Sequence, residues 1–260
     1  MGVLSLDLGR MNHLLRLDEI SRTATFQAGI QGPAIEAILN ERGYTLGHFP
    51  QSFEHSTLGG WIATRSAGQL SNRLGKIEDR VLGLKLVTPS GVLQVRTLPA
   101  SATGPDLKGL VVGSEGTLGV IVEATVRLQP LPKHRDYRGI LFKNFRAGTE
   151  ALRRISQGNF PPAVMRLSDE KETVAGIQLS HPPASWLEWL KRRVGRWFLE
   201  RKGYGAPPQG CLLILGIEGD RKQVEVERRE TLRICEEMGG TNLGRGPGQS
   251  WYRERFELPY

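Results

Sequence analysis

Apolar residues recur along the first half of the chain at spacings that predict short strands and helices. Pro33 stands near the start of one helical run and Gly43 follows its end, as is typical of helix boundaries. Val- and Leu-rich sequence on both sides of Pro89-Ser90-Gly91 predicts a β-hairpin. The predicted elements are a strand at 2–8, a strand at 24–28, a helix at 32–42, the hairpin over 80–98, a short helix at 106–112 and a strand at 120–128.

The pattern changes after Pro130-Leu131-Pro132, where strands and longer helices begin to alternate. The predicted elements are strands at 139–142, 163–168 and 211–218 and helices at 146–157, 186–202 and 221–238, with a glycine-rich loop at 239–248. Alternating strands and helices indicate an α/β or α+β sheet with helices on one face. We therefore expect two domains, residues 1–132 and 133–260.

The composition is that of a globular protein, with 39% apolar and 24% charged residues among 260. No apolar run approaches the length needed to cross a bilayer. Cys211 and Cys235 are too few for a disulfide scaffold and lack metal-ligand spacing. The five histidines are scattered, so no metal site is predicted. A cytoplasmic protein is the expectation.

The net charge of +8 favours an anionic partner. A nucleic acid is disfavoured, because the basic residues are spread along the chain and no recognition motif is present. An anionic small molecule or an anionic membrane surface fits the charge equally well. Residues 185–203 form an amphipathic pattern that predicts a helix packed on its own domain, and a helix lying on anionic lipid is the alternative. A homodimer is left open.

Two glycine-containing segments carry the candidate chemistry: QSFEHSTLGG at 51–60 and GSEGTLGVI at 113–121. Glycine lets a backbone approach a ligand closely, and neighbouring amides and hydroxyls can then hold phosphates or carbonyls. Together with TRSAG at 64–68, the two segments predict a loop-built pocket for a large polar cofactor. Arg65, between two hydroxyl residues, is a candidate for a role in it, whereas the charged run at 72–83 is typical of a solvated turn.

Each segment also has a simpler interpretation. Ser56 or Thr57 could cap a following helix, as such residues often do. The second segment could be a hairpin or a bulge with glycine positions. It is not a Rossmann fingerprint, because it does not open a helix after a strand, and it lacks the Lys-Ser/Thr of a P-loop.

The run from Pro50 to Leu93, followed by TGPDLKGLVVGSEGTLGVIVEATVRLQPLP, resembles the FAD-binding module of the vanillyl-alcohol-oxidase superfamily. Trp61, TRSAG and the Ile77–Asp79 sequence are most similar to alkyldihydroxyacetone-phosphate synthases. The resemblance implies an α+β protein, with a PCMH-type FAD-binding domain followed by part of an α+β cap domain. It also implies an exchange of the acyl group of acyl-dihydroxyacetone phosphate for a fatty alcohol, so that the substrate would be a small molecule or a lipid phosphate.

Carried over by motif, the resemblance implies a set of FAD contacts. These are Gln51, Ser52, Phe53, Glu54, His55, Ser56, Thr57, Thr64, Arg65, Ser66, Ala67, Glu115, Gly116, Thr117, Leu118, Gly119, Val120 and Ile121. Arg166 and Asp169 are expected near the substrate cavity. The pyrophosphate loop and the catalytic Tyr and His-rich segment of the family have no counterpart here, so we expect a piece truncated at both ends. The alternatives are a glycolate or D-lactate type dehydrogenase, which shares GSEGTLGVI, and a non-catalytic remnant.

Overall fold

The computed structural model describes residues 5–158, 161–179, 197, 199–205 and 209–257. The chain divides into two compact units. The first contains Met1–Leu131 together with Arg255–Tyr260, and the second contains Pro132–Glu254. Each unit has its own sheet and its own apolar core.

The first unit is built mainly from short strands and short helices. In order, they are β1 (Leu14–Asp18), β2 (Thr23–Gln27), α1 (Gly32–Asn40), β3 (Tyr44–Thr45), α2 (Leu58–Ala63), α3 (Ser71–Leu74), α4 (Ile77–Arg80), β4 (Val81–Thr88), β5 (Gly91–Val95), α5 (Leu107–Val111), β6 (Val120–Arg127) and β7 (Gln129–Pro130). Five of the strands form an antiparallel sheet in the order β1-β2-β6-β4-β5. Strands β3 and β7 pair separately.

The core of the first unit lies between this sheet and helices α1 and α2. Strand β2 supplies the buried Phe26 and Ala24, because successive side chains of a strand point to opposite faces. Ile35 of α1 and Ile62 of α2 are both fully buried in the same cluster. Helix α2 approaches β2 closely, since a Cβ on Gly59 would lie 2.9 Å from the Cβ of Ala28. The glycine therefore sets the position of α2 against the sheet.

The second unit contains a four-stranded antiparallel sheet with the order β11-β8-β10-β9. Its elements are β8 (His134–Phe142), α6 (Phe145–Ser156), β9 (Val164–Leu167), α7 (Glu170–Leu179), β10 (Cys211–Gly219), α8 (Arg221–Glu237), β11 (Thr241–Asn242) and α9 (Gly246–Glu254). Strands β8 and β10 pair along their whole length, from Cys211 opposite Phe142 to Gly219 opposite His134.

Helices cover both faces of this second sheet. Ile140 of β8 and Leu213 of β10 face a core shared with α6 and α8. Helix α9 lies on the opposite face, because a Cβ on Gly139, the strand neighbour of Ile140, would come within 2.7 Å of Pro247. The expectation of helices on one face only was therefore wrong. Its cause is the glycine-rich stretch, which gave no apolar periodicity from which α9 could be predicted.

Most predicted elements are confirmed, with ends shifted by a few residues. The strand predicted at 2–8 is absent from residues 5–8, and the first strand lies at Leu14–Asp18 instead. The predicted loop at 239–248 contains β11 and the start of α9. Most of the helix predicted at 186–202 lies outside the described residues. Of the residues in this range that are described, 197 and 199–201 are helical. Within the described parts of the chain, no helix is both long enough and apolar enough to cross a membrane.

Candidate functional site

Thr57 caps helix α2. Its backbone is extended, and its Oγ1 accepts a hydrogen bond from the amide of Gly60 at 3.3 Å. The next amides are also used within the chain: Leu58 donates to the carbonyl of Ile30 and Gly59 to that of Ala28. The simpler interpretation of this segment, a helix cap, is confirmed. The expectation that amides beside these glycines are free for a ligand is wrong for the first turn of α2.

The second glycine segment is hydrogen-bonded to the other end of α2. The amide of Gly113 donates to the carbonyl of Ile62 at 3.0 Å, and that of Glu115 donates to Ala63 at 2.9 Å. Glu115 and Gly116 both have positive φ, 50° and 80°, so the chain turns sharply here. One short helix therefore joins the two segments: the first caps its start, and the second is bonded to its end.

The side chain of Arg65 connects the end of α2 to residues 109–112. Arg65 also has a positive φ, 55°, and its side chain bonds α5 and the residue that follows it. Its Nε donates to the carbonyl of Val112 and its Nη2 to that of Gly109, both at 3.0 Å. The carboxylate of Glu78 lies 3.7 Å from Nε. The guanidinium that the sequence singled out is thus bonded within the protein.

Several polar groups of the two segments face solvent and remain able to bind a ligand. Thr64 and Thr117 are exposed; their hydroxyls donate to the carbonyls of Gly60 and Ser114, so their oxygens remain as acceptors. The exposed amides of Gly116 and Leu118 donate no hydrogen bond to another residue in the described part of the chain. Acceptors and donors together suit the mixed polar edge of a large heteroaromatic ring.

Other predicted contact residues have different surroundings. Phe53 and Ile121 are buried in the core of the first unit. Gln51 donates through Nε2 to the carbonyl of Arg255 at 2.8 Å. Ser56 accepts from the indole of Trp61 at 2.6 Å.

The remaining members of the predicted set lie at or near the surface. Ser52, Glu54, His55 and Ala67 are exposed, and Ser66, Gly119 and Val120 are half-buried.

His48 packs against Trp61 of α2, with 5.1 Å between the ring centroids, and in the sequence it is only an isolated histidine. It is buried, and its Nε2 lies 3.2 Å from the hydroxyl of Ser66. Burial lowers the pKa of His48 to about 4, and the positive charge of Arg80 adds to this effect. His48 is therefore a neutral ring that positions Ser66.

Arg80 is buried beside His48, whereas the charged run at 72–83 is expected from the sequence to form a solvated turn. Its Nη2 donates to the carbonyl of Leu46 at 2.9 Å, and its Nε has no hydrogen-bond partner in the described structure. Burial, together with the charge of Arg127, lowers the pKa of Arg80 to about 10. The solvated-turn interpretation was wrong at this position, because Ile77 and Arg80 both face inward from α4.

No group of His, Cys, Asp and Glu side chains within the described ranges could hold a metal ion.

Two domain families match the chain. The family described as FAD binding domain matches residues 1–96, and the one described as FAD linked oxidases, C-terminal domain, matches residues 131–255. The chain therefore carries an FAD-binding domain followed by a C-terminal domain of the kind found in FAD-linked oxidases, and the predicted α+β fold and the predicted cofactor, FAD, are confirmed.

Among full-length proteins, the chain is similar to alkyldihydroxyacetonephosphate synthases over nearly its whole length. It is 36% identical to the Dictyostelium discoideum synthase across 98% of this chain and 42% of that protein. Identity to the Trypanosoma brucei brucei synthase is 35% across 99% of this chain and 42% of the relative. A solved structure of such a synthase superposes with a TM-score of 0.86 at 36% identity, across 98% of this chain and 45% of the other.

The chain thus spans less than half the length of these synthases. The predicted alternative also has relatives: the glycolate oxidase subunit of Bacillus subtilis is 34% identical across 65% of this chain and 36% of that protein.

Proposed function

We propose that this chain contributes FAD-contacting segments and part of the cap to a flavoenzyme of the alkyldihydroxyacetonephosphate synthase type. The reaction is the exchange of the acyl group of acyl-dihydroxyacetone phosphate for a fatty alcohol. The proposal is supported by the share of this chain that is similar to each kind of relative. Similarity to the Dictyostelium discoideum synthase covers 98% of the chain and so extends through both units, whereas similarity to the glycolate oxidase subunit covers 65% of it. Residues 1–132 would then form the FAD-binding domain and residues 133–260 part of the cap.

The segments 51–57, 64–67 and 115–121 would hold the flavin. FAD, when bound, supplies the reactive ring at which acyl and alkyl groups exchange without net oxidation. The protein groups available to it are the acceptor oxygens of Thr64 and Thr117 and the amides of Gly116 and Leu118, which donate to no other described residue. His48, uncharged at neutral pH, keeps the Ser66 hydroxyl in place. These residues bind and orient the ring.

A substitution at Gly116 tests the site directly. Gly116 has φ 80°, and a Cβ added there would meet no other atom within 4 Å. Asparagine tolerates positive φ better than other non-glycine residues, so Gly116→Asn adds a side chain at the binding surface with little backbone strain. Gly104→Asn is the matched control, because Gly104 has φ 71° and equally open surroundings in the same unit.

We expect FAD, titrated by flavin fluorescence, to bind the wild type and the Gly104 variant alike. The Gly116 variant should bind at least about tenfold more weakly, because the added side chain would occupy part of the binding surface and displace the ligand from one or two contacts. No binding by the wild type, or equal weakening in both variants, would contradict the proposed site.

The dehydrogenase is the second candidate, supported by the glycolate oxidase relative. It is distinguished by reduction of an artificial electron acceptor in the presence of glycolate or D-lactate. The synthase proposal expects no reduction with either acid and expects transfer of labelled fatty alcohol to acyl-dihydroxyacetone phosphate. Dye reduction by either acid would contradict it. If both assays fail while FAD binds, a non-catalytic flavin-binding remnant is favoured.

The finer expectations about partners follow from the same proposal. A phosphate-bearing lipid substrate and peripheral contact of a cytoplasmic protein with an anionic membrane suit the net charge of +8. Co-sedimentation with anionic vesicles that weakens with salt would support the membrane contact, and equal recovery with neutral vesicles would contradict it. Light scattering of the purified chain tests for a homodimer.

A further inference from the structure

Three arginines of the second unit converge on one buried carboxylate, that of Asp136. Asp136 and Arg138 lie two residues apart on β8, so their side chains share a face of the sheet. Arg138 holds Asp136 by two hydrogen bonds, from Nε at 2.6 Å and Nη2 at 3.1 Å. Arg245, which precedes α9, donates to Asp136 Oδ2 at 3.0 Å. Arg228 of α8 brings Nη1 to 3.9 Å from the same oxygen.

This cluster carries more positive charge than its single carboxylate can neutralise. Burial raises the pKa of Asp136, but hydrogen bonds from Arg138 and Arg245 and their charges outweigh it, and the pKa lies below its ordinary value. The carboxylate is therefore ionised at neutral pH. Three arginines and one carboxylate leave a net charge of about +2.

The arginines remain accessible from outside. The Asp136 side chain is 2% exposed, whereas those of Arg138, Arg228 and Arg245 are 16%, 34% and 56% exposed. Within the described ranges, Asp136 is the only acceptor that these three guanidinium groups contact. Each guanidinium has five N–H donors, which is more than the hydrogen bonds that it makes to Asp136.

We propose that Arg138, Arg228 and Arg245 form a binding site for a phosphate monoester, with Asp136 as the anchor that holds the guanidinium groups together. A phosphate monoester carries about −1.5 to −2 charges at pH 7, which balances the excess of the cluster. Guanidinium groups also bind phosphate through paired N–H donors. The proposal does not rest on FAD binding or on the proposed synthase activity.

Binding of inorganic phosphate to the full chain, followed by calorimetry at constant ionic strength, tests the site. We expect Arg228→Gln and Arg245→Gln each to weaken binding at least about tenfold, because a hydrogen bond to a charged group is lost. Arg229→Gln is the matched control: Arg229 is the next residue on α8, is 74% exposed and pairs with Glu230 at 3.5 Å. It should bind like the wild type. All three substitutions are at partly or largely exposed side chains, so the fold should survive.

Vesicles distinguish the source of the phosphate. Phosphatidic acid in phosphatidylcholine carries a monoester headgroup, and phosphatidylcholine alone does not. Binding of inorganic phosphate without retention on phosphatidic acid vesicles would identify a soluble ligand, and retention that Arg245→Gln abolishes would identify a headgroup. The proposal is overturned if neither probe binds the wild type, or if Arg229→Gln weakens binding as much as the other two substitutions.

Discussion

Replacing Arg65 by methionine tests the connection between the two glycine segments. Methionine keeps an apolar stem of similar length but removes the guanidinium that bonds the carbonyls of Gly109 and Val112. The substitution should therefore loosen the loop after α5 from the end of α2. The main-chain bonds from Gly113 and Glu115 to α2 would remain, so the unit should still fold.

The expected loss follows from these two bonds. A hydrogen bond to a charged group contributes about 1.5–3 kcal/mol, but the Arg65 side chain is 49% exposed and water compensates part of this. We therefore expect destabilisation by about 1–3 kcal/mol. With a urea m-value of about 2 kcal/mol/M, the midpoint should fall by about 1 M.

Urea unfolding of the full chain measures this change, with hydrogen exchange of residues 107–120 as the local readout. Arg96→Met is the matched control, because Arg96 is exposed and bonds no other residue of the described structure. It should leave the free energy of unfolding within about 0.5 kcal/mol of the wild type. If Arg65→Met changes the free energy of unfolding as little as Arg96→Met does, or leaves hydrogen exchange of residues 107–120 unchanged, Arg65 does not connect the two segments.

Three further changes have definite expected outcomes. Gly119→Ala should cost about 2 kcal/mol or more in thermal unfolding, because φ is 148° and the added Cβ would overlap the carbonyl of Val87; an unchanged melting temperature would contradict this. Glu36→Ala should cost about 2–4 kcal/mol in urea unfolding, since a buried carboxylate that accepts from Thr45 is lost. A loss below about 0.5 kcal/mol would refute the role of this carboxylate. The low pKa of His48 makes the folded state bind its proton less readily than the unfolded chain does. The free energy of unfolding should therefore fall by about 3 kcal/mol as the pH decreases from 6.5 towards 4. His48→Asn should remove this dependence of the free energy of unfolding on pH.

The sequence predicted those elements whose periodicity is set by one buried face. Strand β6 is a run of β-branched residues that buries Ile121, Ala124 and Val126, and the hairpin of β4 and β5 is marked by its turn at Pro89 and Ser90, so both were predictable. Helix α9 was not, because glycine and proline at its start lack any apolar pattern, and the room for it comes from Gly139 on a distant strand.

The candidate site was predictable in part for a similar reason. The two segments could be found from their glycines and hydroxyls, but their meeting at α2 depends on main-chain bonds between residues about fifty apart in the chain, as from Glu115 to Ala63. The burial of His48 and Arg80 depends on the packing of α4 against the loop after β3, which no local pattern encodes.

Hydrogen exchange of the full chain with and without FAD tests the central claim most directly. Peptides covering residues 51–57, 64–67 and 115–121 should slow together when FAD is added, because one ligand lies across all three. Exchange that stays unchanged in all of them, or slows in one segment alone, would contradict the account.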